Sequence, residues 1–171
     1  MTAPGPHQQF VALVDRHRGI LHTVARAYAR TPEDRADLVQ EIVAELLEAF
    51  PRYRADRSFS TWMYRVALNV AISSLRRQVV RERLAVDPVA GVLEEVAVPP
   101  ADPAREEALR RLDGLIQSLA PLDRALVLLS LDGLRHAAIG EVLGLSETNV
   151  GTKLARIRER LRGALEDHRT E

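Results

Sequence analysis

Cysteine is missing from the 171 residues of this chain. The protein can therefore form no disulfide and no thiolate metal site, which is typical of a reducing compartment. Long apolar runs are missing as well, since none approaches the roughly 18 residues that a membrane-spanning helix needs. The opening segment, MTAPGPHQQF, lacks the charged and then apolar layout of a secretion signal. These absences predict a soluble, cytoplasmic protein with no direct membrane insertion.

A net charge is also lacking, because 24 Lys and Arg residues balance 24 Asp and Glu residues. Nucleic-acid binders are usually basic overall, so this balance argues against a simple one. The charges are nevertheless spread unevenly: residues 1–85 carry 13 basic and 9 acidic groups, whereas residues 86–112 carry 3 and 6. The net charge of zero is therefore the sum of segments that carry different charge, and it does not exclude local basic surfaces.

Groups of residues typical of catalysis are not recognisable in the sequence. It has no glycine-rich phosphate loop and no serine, histidine and aspartate in a familiar catalytic context. The five histidines are scattered, and the spacing of His17 and His22 does not suit one metal-binding helix face. We therefore expect neither an enzyme nor a bound metal, other cofactor or small-molecule substrate.

Apolar residues recur at helical spacing through most of the chain, and no segment has the alternation of a strand. In the N-terminal half this spacing predicts three helices, at residues 10–30, 32–50 and 62–84. Thr31 can cap the second helix, with Pro32 in its first turn, and Pro51 closes it. Ser60 or Thr61 can cap the third helix.

The stretch between residues 86 and 104 holds four Pro, one Gly and no helical period, and it predicts an acidic, flexible linker. After it, the spacing predicts four further helices, at residues 104–119, 121–131, 135–143 and 146–165. The predicted fold class is therefore all-α, with two small helical domains at residues 1–85 and 105–171.

The last two helices have the spacing of a helix-turn-helix motif. Its buried positions are Ile139, Leu143, Leu145, Val150 and Leu154. Gly140 stands where the two helices cross closely, because a missing Cβ permits the approach. Gly144 stands in the turn, where a positive φ angle is needed, and Ser146 can cap the second helix.

The outer face of the last helix carries hydroxyl, amide and basic groups, which suit the base edges and phosphates of a major groove. The residues that we expect to contact duplex DNA are Thr148, Asn149, Thr152, Lys153, Arg156 and Arg158. From the spacing alone, a helical hairpin with a solvated basic face remains the alternative. Gly151, beside this face, costs about 1 kcal/mol relative to Ala in a helix. We hypothesise that its missing side chain lets the helix backbone come close to DNA.

Aromatic residues are scarce, yet five of the seven lie between positions 50 and 64, interleaved with arginines. Aromatic faces for base stacking beside Arg for phosphates are typical of single-stranded nucleic-acid binding. The alternative is that Phe50, Trp62 and Tyr64 belong to the core of a small helical domain. Tyr53 and Phe59 fall in a polar loop, where we do not expect a core to bury both.

Two stretches of the sequence resemble conserved regions of bacterial sigma factors. DLVQEIVAELLEAF, followed by RYRADRSFSTWMYRVALNVAISSLRR, is similar to their region two. LAPLDRALVLLSLDGLRHAAIGEVLGLSETNVGTKLARIRERLR is similar to their region four. With no third domain between them, the layout resembles the extracytoplasmic-function (ECF) group of the sigma-70 family, over residues 10–84 and 105–165.

The resemblance implies a role for each stretch. The helix that carries Asp37, Leu38, Gln40 and Glu41 would dock on the clamp of the largest RNA polymerase subunit, although a solvated acidic face is the alternative there. Region four would contact the flap of the second subunit, and its helix from Ser146 would bind the minus-thirty-five promoter element. The unpaired strand of the minus-ten element would be bound by Arg54, Arg57, Phe59, Trp62, Tyr64, Arg65, Asn69, Arg76 and Arg77. An anti-sigma factor would cover these surfaces until a signal arrives.

Two functions remain open at this point. A specificity subunit would bind the polymerase core, recognise a two-part promoter and help to open it; two tethered domains suit that task, because the tether raises the effective concentration of the second. A stand-alone helix-turn-helix regulator of duplex DNA would explain the C-terminal motif but not the aromatic cluster. The chain departs from many sigma factors in having Gly151 instead of a basic residue, and AELLEAF instead of an aromatic-rich docking helix.

Overall fold

The computed structural model describes residues 5–84 and 102–167, with only the backbone described at Pro103, Ala104 and Asp167. Within these ranges the chain forms helices and no strand, which confirms the predicted all-α fold class. The eight α-helices are α1 (Pro6–Arg16), α2 (Arg18–Tyr28), α3 (Pro32–Ala49), α4 (Phe59–Leu84), α5 (Pro103–Ser118), α6 (Pro121–Leu131), α7 (His136–Leu143) and α8 (Glu147–Asp167). A short 3-10 turn, Phe50–Arg52, follows α3. No described helix is long and apolar enough to cross a membrane.

Two helix caps form where the sequence predicts them. The Thr31 hydroxyl accepts a hydrogen bond from the backbone N–H of Asp34 at 3.0 Å, in the first turn of α3. The Ser146 hydroxyl accepts one from the N–H of Asn149 at 3.2 Å, at the start of α8. Each cap satisfies an N–H group that the first helical turn leaves unpaired, and each is typically worth about 1 kcal/mol.

The single helix predicted at residues 10–30 is in fact two helices. The backbone leaves helical geometry at His17 (φ −110°, ψ 16°), after α1 ends and before α2 begins. One non-helical residue changes the direction of the helix while leaving the apolar spacing nearly intact, so the period does not reveal the break. The break separates α1, which buries only Phe10, from α2, which buries five residues.

α4 begins earlier than predicted, at Phe59 rather than Trp62. The N–H of Trp62 donates to the carbonyl of Ser58 at 3.1 Å, so the first helical turn is closed three residues before the predicted start. Ser60 and Thr61, the expected caps, therefore lie inside the helix. Burial of Phe59 in the core favours the earlier start, because the extra turn carries its ring inward.

The predicted linker at residues 86–104 lies largely outside the described residues. Its last two members, Pro103 and Ala104, are helical, because α5 begins at Pro103. Asp102 is the cap of that helix, and its carboxylate accepts from the N–H of Arg105 at 3.2 Å.

Three helices, α2, α3 and α4, pack together in the N-terminal half, which we define as residues 5–84. Its most deeply buried side chains, each at most 1% exposed, include Val24, Ile42, Leu46, Met63 and Leu68. Burying a side chain of this size contributes roughly 1.5–3 kcal/mol. This packing holds α3 and α4 side by side, so that their outer faces form one surface.

The C-terminal half, which we define as residues 102–167, is built on α6. α7 and α8 both pack against α6, and α5 lies beside it. The centre of this half consists of Leu126, Leu129, Ile139, Val150 and Leu154, each at most 1% exposed. With α6 and α7 covering its inner side, α8 directs its other side to solvent.

The two halves also pack against each other. α2 contacts α5 and α6, and α4 contacts α7. The buried apolar residues of both halves belong to one continuous cluster. The helices of the two predicted domains therefore share part of their core in this structure.

Candidate nucleic-acid and polymerase interfaces

The turn between α7 and α8 has the geometry of the predicted helix-turn-helix. Gly144 follows α7 with φ 69°, a left-handed conformation that Gly adopts without strain. A Cβ on Gly140 would lie 2.5 Å from the carbonyl oxygen of Leu145, and the Gly140 carbonyl accepts a hydrogen bond from the Leu145 N–H at 3.0 Å. The two glycines thus hold the turn tightly against α7 and fix the direction of α8.

One side of α8 is buried and the other carries the residues predicted to bind duplex DNA. Val150, Leu154 and Ile157 point inward, and each is at most 2% exposed. On the outer side the exposed residues are Thr148, Asn149, Thr152, Arg156 and Arg158, and Lys153 is half-buried. The structure therefore places the six predicted residues on one helix without burying any of them.

These outer side chains differ in how free they are to bind a partner. Arg158 donates to the hydroxyl of Ser130 on α6 at 3.4 Å, which draws it toward the body of the protein. The Thr152 hydroxyl donates to the carbonyl of Thr148 at 3.0 Å, so its oxygen remains free to accept. Arg156 makes no ion pair or hydrogen bond with any described residue. It is therefore the basic side chain of α8 best able to contact a base edge or a phosphate.

Gly151 does not face open space. A Cβ at this position would lie 3.5 Å from Nδ1 and 3.6 Å from Cε1 of His136, the first residue of α7. These are ordinary van der Waals distances, so the imidazole lies beside the gap and still leaves room for a methyl group there. The hypothesis that the missing side chain lets DNA approach the helix backbone stays a prediction.

The aromatic residues of the N-terminal half stack on one another. Ring centroids lie 5.0 Å apart for Tyr53 and Trp62, 5.3 Å apart for Phe59 and Trp62, and 5.3 Å apart for Tyr53 and Phe59. Such pairs contribute about 0.5–1.5 kcal/mol beyond their burial. Phe59 is buried and Tyr53 half-buried, so the core buries the first and leaves part of the second accessible. The expectation that a core does not bury both is met, but Phe59 is not a loop residue: it opens α4, and its ring also meets His17 at 5.4 Å.

Trp62 and Tyr64 differ in their access to solvent. Trp62 is half-buried, so part of its indole can be reached from outside. Tyr64 is 1% exposed, and its hydroxyl donates to the carboxylate of Asp132, just after α6, at 2.5 Å. Burial, reinforced by this hydrogen bond, raises the pKa of Tyr64, so the phenol stays protonated. In this conformation neither Phe59 nor Tyr64 can stack on a base, whereas part of Trp62 is accessible.

One stripe of α4 is polar and exposed along most of the helix. Arg65, Asn69, Ser73 and Arg76 follow one another at intervals of four, four and three residues, which puts them on one face. Arg65 and Arg76 have no ion-pair partner in the described part of the chain. Asn69 and Ser73 line a shallow groove of about 340 Å³ together with Arg77. The structure thus brings together three predicted strand-binding residues, Arg65, Asn69 and Arg76.

Three other predicted arginines are paired with carboxylates. The pairs are Arg54–Asp56 at 3.0 Å, Arg57–Glu141 at 3.5 Å and Arg77–Glu41. All six side chains are more than one-third exposed. Exposed pairs of this kind are typically worth less than about 1 kcal/mol, so a phosphate can replace the carboxylate at little cost.

The predicted polymerase contact lies on α3, beside a groove between α3 and α4. Asp37 and Gln40 are exposed and Glu41 is half-buried. Leu38 is 4% exposed and packs in the core, but it also lines the groove, so only a small part of its side chain is open to a partner there. Asp37 and Glu41 line the groove of about 810 Å³, and Arg76 also lines it from α4. Three of the four predicted residues are therefore accessible, and two of them, Asp37 and Glu41, lie on the wall of a concave surface.

Polar residues that join the two halves carry no functional pattern in the sequence and were missed there. Asp132 bonds to Tyr64, and Arg124 contacts the ring of Tyr28 with its guanidinium carbon 5.2 Å from the centroid. A signal exists for Arg124, because it is the one cation in the apolar α6 sequence PLDRALVLLSL. It is 7% exposed, and burial lowers its pKa while the nearby Tyr28 raises it.

No group of three or more His, Cys, Asp or Glu side chains within residues 5–84 and 102–167 is placed to hold a metal ion. The candidate surfaces consist of basic, acidic, polar and aromatic groups in open positions. Small-molecule sites are usually enclosed and apolar, so these surfaces suit a macromolecular partner better.

Both halves of the chain match known protein families. Residues 13–80 match Sigma-70 region 2, and residues 109–161 match Sigma-70, region 4. The first match spans the candidate surfaces on α3 and α4, and the second spans the helix-turn-helix of α7 and α8.

Two curated relatives extend the match over nearly the whole chain. The chain is 29% identical over 159 residues to the ECF RNA polymerase sigma factor SigM of Mycobacterium tuberculosis, covering 92% of this chain and 77% of that protein. It is 31% identical over 166 residues to the ECF RNA polymerase sigma-E factor of Escherichia coli, covering 91% and 85%.

Two solved structures share the fold. CnrH, in complex with the cytosolic domain of CnrY, aligns with a TM-score of 0.67 at 23% identity, over 92% of this chain and 88% of that one. The sigma factor RpoE of Bartonella quintana, in complex with the anti-sigma factor NepR, aligns with a TM-score of 0.67 at 19% identity, over 94% and 96%. From the family matches and the curated relatives, the chain belongs to the ECF group of the sigma-70 family of RNA polymerase sigma factors.

Proposed function

We propose that this chain is a promoter-specificity subunit that binds the RNA polymerase core, recognises a two-part promoter and helps to open it, with no chemistry of its own. The observation that carries the proposal is the outer face of α8, where Thr148, Asn149, Thr152 and Arg156 stay exposed on a helix held by a tight turn. Membership of the sigma factor family supports the same role.

In this proposal α8 enters the major groove at the minus-thirty-five element. Arg156 is free to donate to a base edge or a phosphate, and Asn149 supplies an amide. Thr148 and Thr152 offer hydroxyl oxygens at the centre of the face. The basic groups of Lys153 and Arg158, on the flanks of the helix, fit phosphate contacts, which position the helix without specifying sequence.

The minus-ten strand is proposed to bind along α4. Arg65, Asn69 and Arg76 form an exposed stripe of the length and chemistry that a single strand needs. Trp62 is the aromatic residue with an accessible ring, and we propose that it stacks on a base with Phe59 supporting it from below. Four other predicted residues already have a partner: Arg54, Arg57 and Arg77 each pair with a carboxylate, and Tyr64 bonds to Asp132. We propose that they bind the strand only after these contacts are exchanged or broken.

Polymerase docking is proposed for the accessible residues of α3. Asp37, Gln40 and Glu41 present acidic and amide groups to the clamp of the largest subunit, while Leu38 anchors the helix from the core. The C-terminal half is proposed to contact the flap of the second subunit. A cytoplasmic location follows from these partners, because the polymerase core and the chromosome are found there.

An anti-sigma factor is proposed as the inhibitor of this chain. RpoE of Bartonella quintana is solved in complex with an anti-sigma factor, and CnrH in complex with the cytosolic domain of CnrY. In this chain the groove of about 810 Å³ on the α3–α4 surface offers a concave site with acidic residues on one wall and Arg76 on the other. A partner bound there would cover the proposed polymerase contact.

The test of this function is transcription in vitro with purified components. We expect promoter-specific transcripts only when the chain and core polymerase are both present. Strong sequence-specific binding to duplex DNA by the chain alone, with no effect on core polymerase, would instead identify a stand-alone regulator.

The role of α8 is tested by Arg156→Ala. We expect a loss of about tenfold in transcription from promoters with an intact minus-thirty-five element, because one good side-chain contact to DNA is worth roughly 1–3 kcal/mol. Binding to core polymerase should not change. Arg160→Ala is the matched control, since Arg160 is on the same helix but pairs with Asp123 at 3.8 Å. An unchanged promoter profile in Arg156→Ala removes Arg156 from the contact.

A further inference from the structure

The two flanks of the outer face of α8 differ in the donors that they carry. At about 100° per residue, Thr148 and Thr152 lie near the centre of that face. Asn149 and Lys153 lie on one flank of it, and Gly151, which has no side chain, lies on the other. A helix in the major groove runs between two phosphate backbones. In these turns α8 therefore directs hydrogen-bond donors toward only one of the two backbones.

An imidazole from α7 lies on the flank that Gly151 leaves empty. A Cβ at Gly151 would lie 3.5 Å from Nδ1 and 3.6 Å from Cε1 of His136, the first residue of α7. The ring is half-buried, and it makes no hydrogen bond or ion pair with any described residue. The nearest basic side chain of α8 on this flank is Arg158, about two turns further along, and it already donates to Ser130. The His136 imidazole is therefore the donor on this flank that is free to bind a partner.

The small size of residue 151 is what allows the ring to lie there. A methyl group fits beside the imidazole at ordinary van der Waals distances. A longer side chain would place further atoms against the ring, and one of the two would have to leave the flank. The position of His136 therefore depends on Gly151, although the two residues belong to different helices.

We propose that His136 is a DNA-binding residue, whose imidazole N–H donates to a backbone phosphate beside the minus-thirty-five element, and that Gly151 is the residue that holds the ring in place. α7 thus supplies the donor that α8 lacks on this flank. The contact fixes the position of α8 in the groove, so that Thr148 and Thr152 reach the base edges. The phosphate contact rests on the proposed function, whereas the placement of the ring by Gly151 does not.

The phosphate contact is tested by promoter binding of the holoenzyme, assembled from core polymerase and the full chain. The probes are duplex promoter fragments with the original minus-thirty-five element and with single base-pair changes in it. We expect His136→Ala to weaken binding about five- to tenfold, by the same factor on every fragment, because a phosphate contact does not read sequence. His136→Gln keeps a side-chain N–H and should recover most of the loss. His22→Ala, at an exposed position of α2, is the control and should change nothing.

The dependence on Gly151 is tested by a size series and a double-mutant cycle in the same binding assay. We expect the loss of binding to grow with the side chain at position 151, from least in Gly151→Ala to about five- to tenfold in Gly151→Leu. In a His136→Ala background, Gly151→Leu should cause no further loss, because the ring that it would displace is already absent. Such non-additivity is the signature of two residues that act through one contact.

The placement of the ring can be measured without DNA or polymerase. The chain has only five histidines, so their imidazole proton signals can be resolved by nuclear magnetic resonance of the full chain. The signals that disappear in His136→Ala belong to His136. We expect Gly151→Leu to shift those signals strongly and Gly151→Ala to shift them least, while the signals of the other four histidines stay in place.

Three results would overturn the proposal. The first is a folded His136→Ala protein whose holoenzyme binds the promoter as well as the unmodified one. The second is a loss confined to one base-pair position, which would mean that the ring reads a base edge. The third is an additive loss in the double variant, which would place residue 151 itself against the DNA. Failure of the proposed function is recognised separately, as transcription that does not depend on the unmodified chain; it would remove the phosphate contact, while the resonance signals still report the placement of the ring.

Discussion

At the scale of single residues, Gly140 is the glycine, among those that the structure describes, where an added side chain meets the closest contact. A Cβ there would lie 2.5 Å from the carbonyl oxygen of Leu145, which is backbone and cannot rotate away. Gly140→Ala must therefore push α8 away from α7. We expect a loss of about 1–3 kcal/mol in the free energy of unfolding, the usual cost of forcing extra volume into a packed site. Urea unfolding followed by circular dichroism measures it.

The control for that substitution is Gly114→Ala. Gly114 also lies inside a helix, α5, but apart from its chain neighbours and the backbone of its own helix turn, no described atom comes within 4 Å of its Cβ position. This substitution should raise the free energy of unfolding by at most about 1 kcal/mol, because Ala has a higher helix propensity than Gly. A Gly140→Ala protein as stable as the unmodified one would show that the turn can move, and would contradict the close crossing.

Gly151 is the opposite case, because its neighbour leaves room. Its Cβ would meet the His136 ring at 3.5 Å, an ordinary contact. We expect Gly151→Ala to stabilise the protein by about 0.5–1 kcal/mol through helix propensity, with no loss of promoter-specific transcription. Thermal unfolding and transcription are measured on the same sample. A stabilised protein with lower activity would support the hypothesis that DNA comes close to the backbone here.

At the scale of elements, the local chemistry of caps and turns predicts most boundaries. Thr31, Gly144 and Ser146 act as the sequence indicates, because each effect involves atoms within a few residues. The break at His17 and the early start at Phe59 were not predictable in the same way. Both depend on which side chains the remaining helices bury, and a helical period does not contain that information.

The aromatic cluster shows the same limit at the candidate site. Composition singles out the segment between Phe50 and Tyr64 as an aromatic cluster, but it does not say which rings face solvent. Ring packing settles that, with Phe59 and Tyr64 buried and Trp62 half-buried. The basic residues of α4 were easier to predict, because exposed positions at intervals of three and four follow from helix geometry alone.

Trp62 packs against other aromatic rings and also has an accessible edge, so Trp62→Ala should lower both the stability of the protein and its promoter opening. We expect a loss of about 1–3 kcal/mol in unfolding free energy, less than for a fully buried aromatic residue. At a temperature where the protein is still folded, promoter opening should fall at least tenfold while core binding changes little. Permanganate reactivity of the melted promoter reports opening, and gel filtration with core polymerase reports binding.

The matched control is Phe10→Ala, which removes a buried ring that packs on Phe50 at a centroid distance of 5.1 Å. It should destabilise the protein at least as much as Trp62→Ala but leave opening intact. Equal loss of opening in the two folded variants would assign Trp62 to the core alone.

At the scale of the whole molecule, the contact between the halves could not be predicted from the sequence. Its hydrogen bonds join residues 68, 87, 93 and 97 positions apart, and no periodic or local pattern relates such positions. Arg124 is the one member of this contact for which the sequence gives a signal. A lone cation in an apolar helix indicates a buried partner, but it does not identify that partner. A common core for both halves implies that the free chain unfolds in one cooperative transition.

That cooperativity should depend on Arg124 in particular. Its fork of N–H groups reaches Ala27 in one half and the end of α5 in the other, and a lysine ammonium cannot span both. We expect Arg124→Lys to leave buried carbonyls unpaired and to cost about 1–3 kcal/mol, measured by guanidinium unfolding. Arg105→Lys, at an exposed position of α5, is the control and should change little. An unchanged midpoint in Arg124→Lys would mean that the buried guanidinium contributes nothing to the contact between the halves.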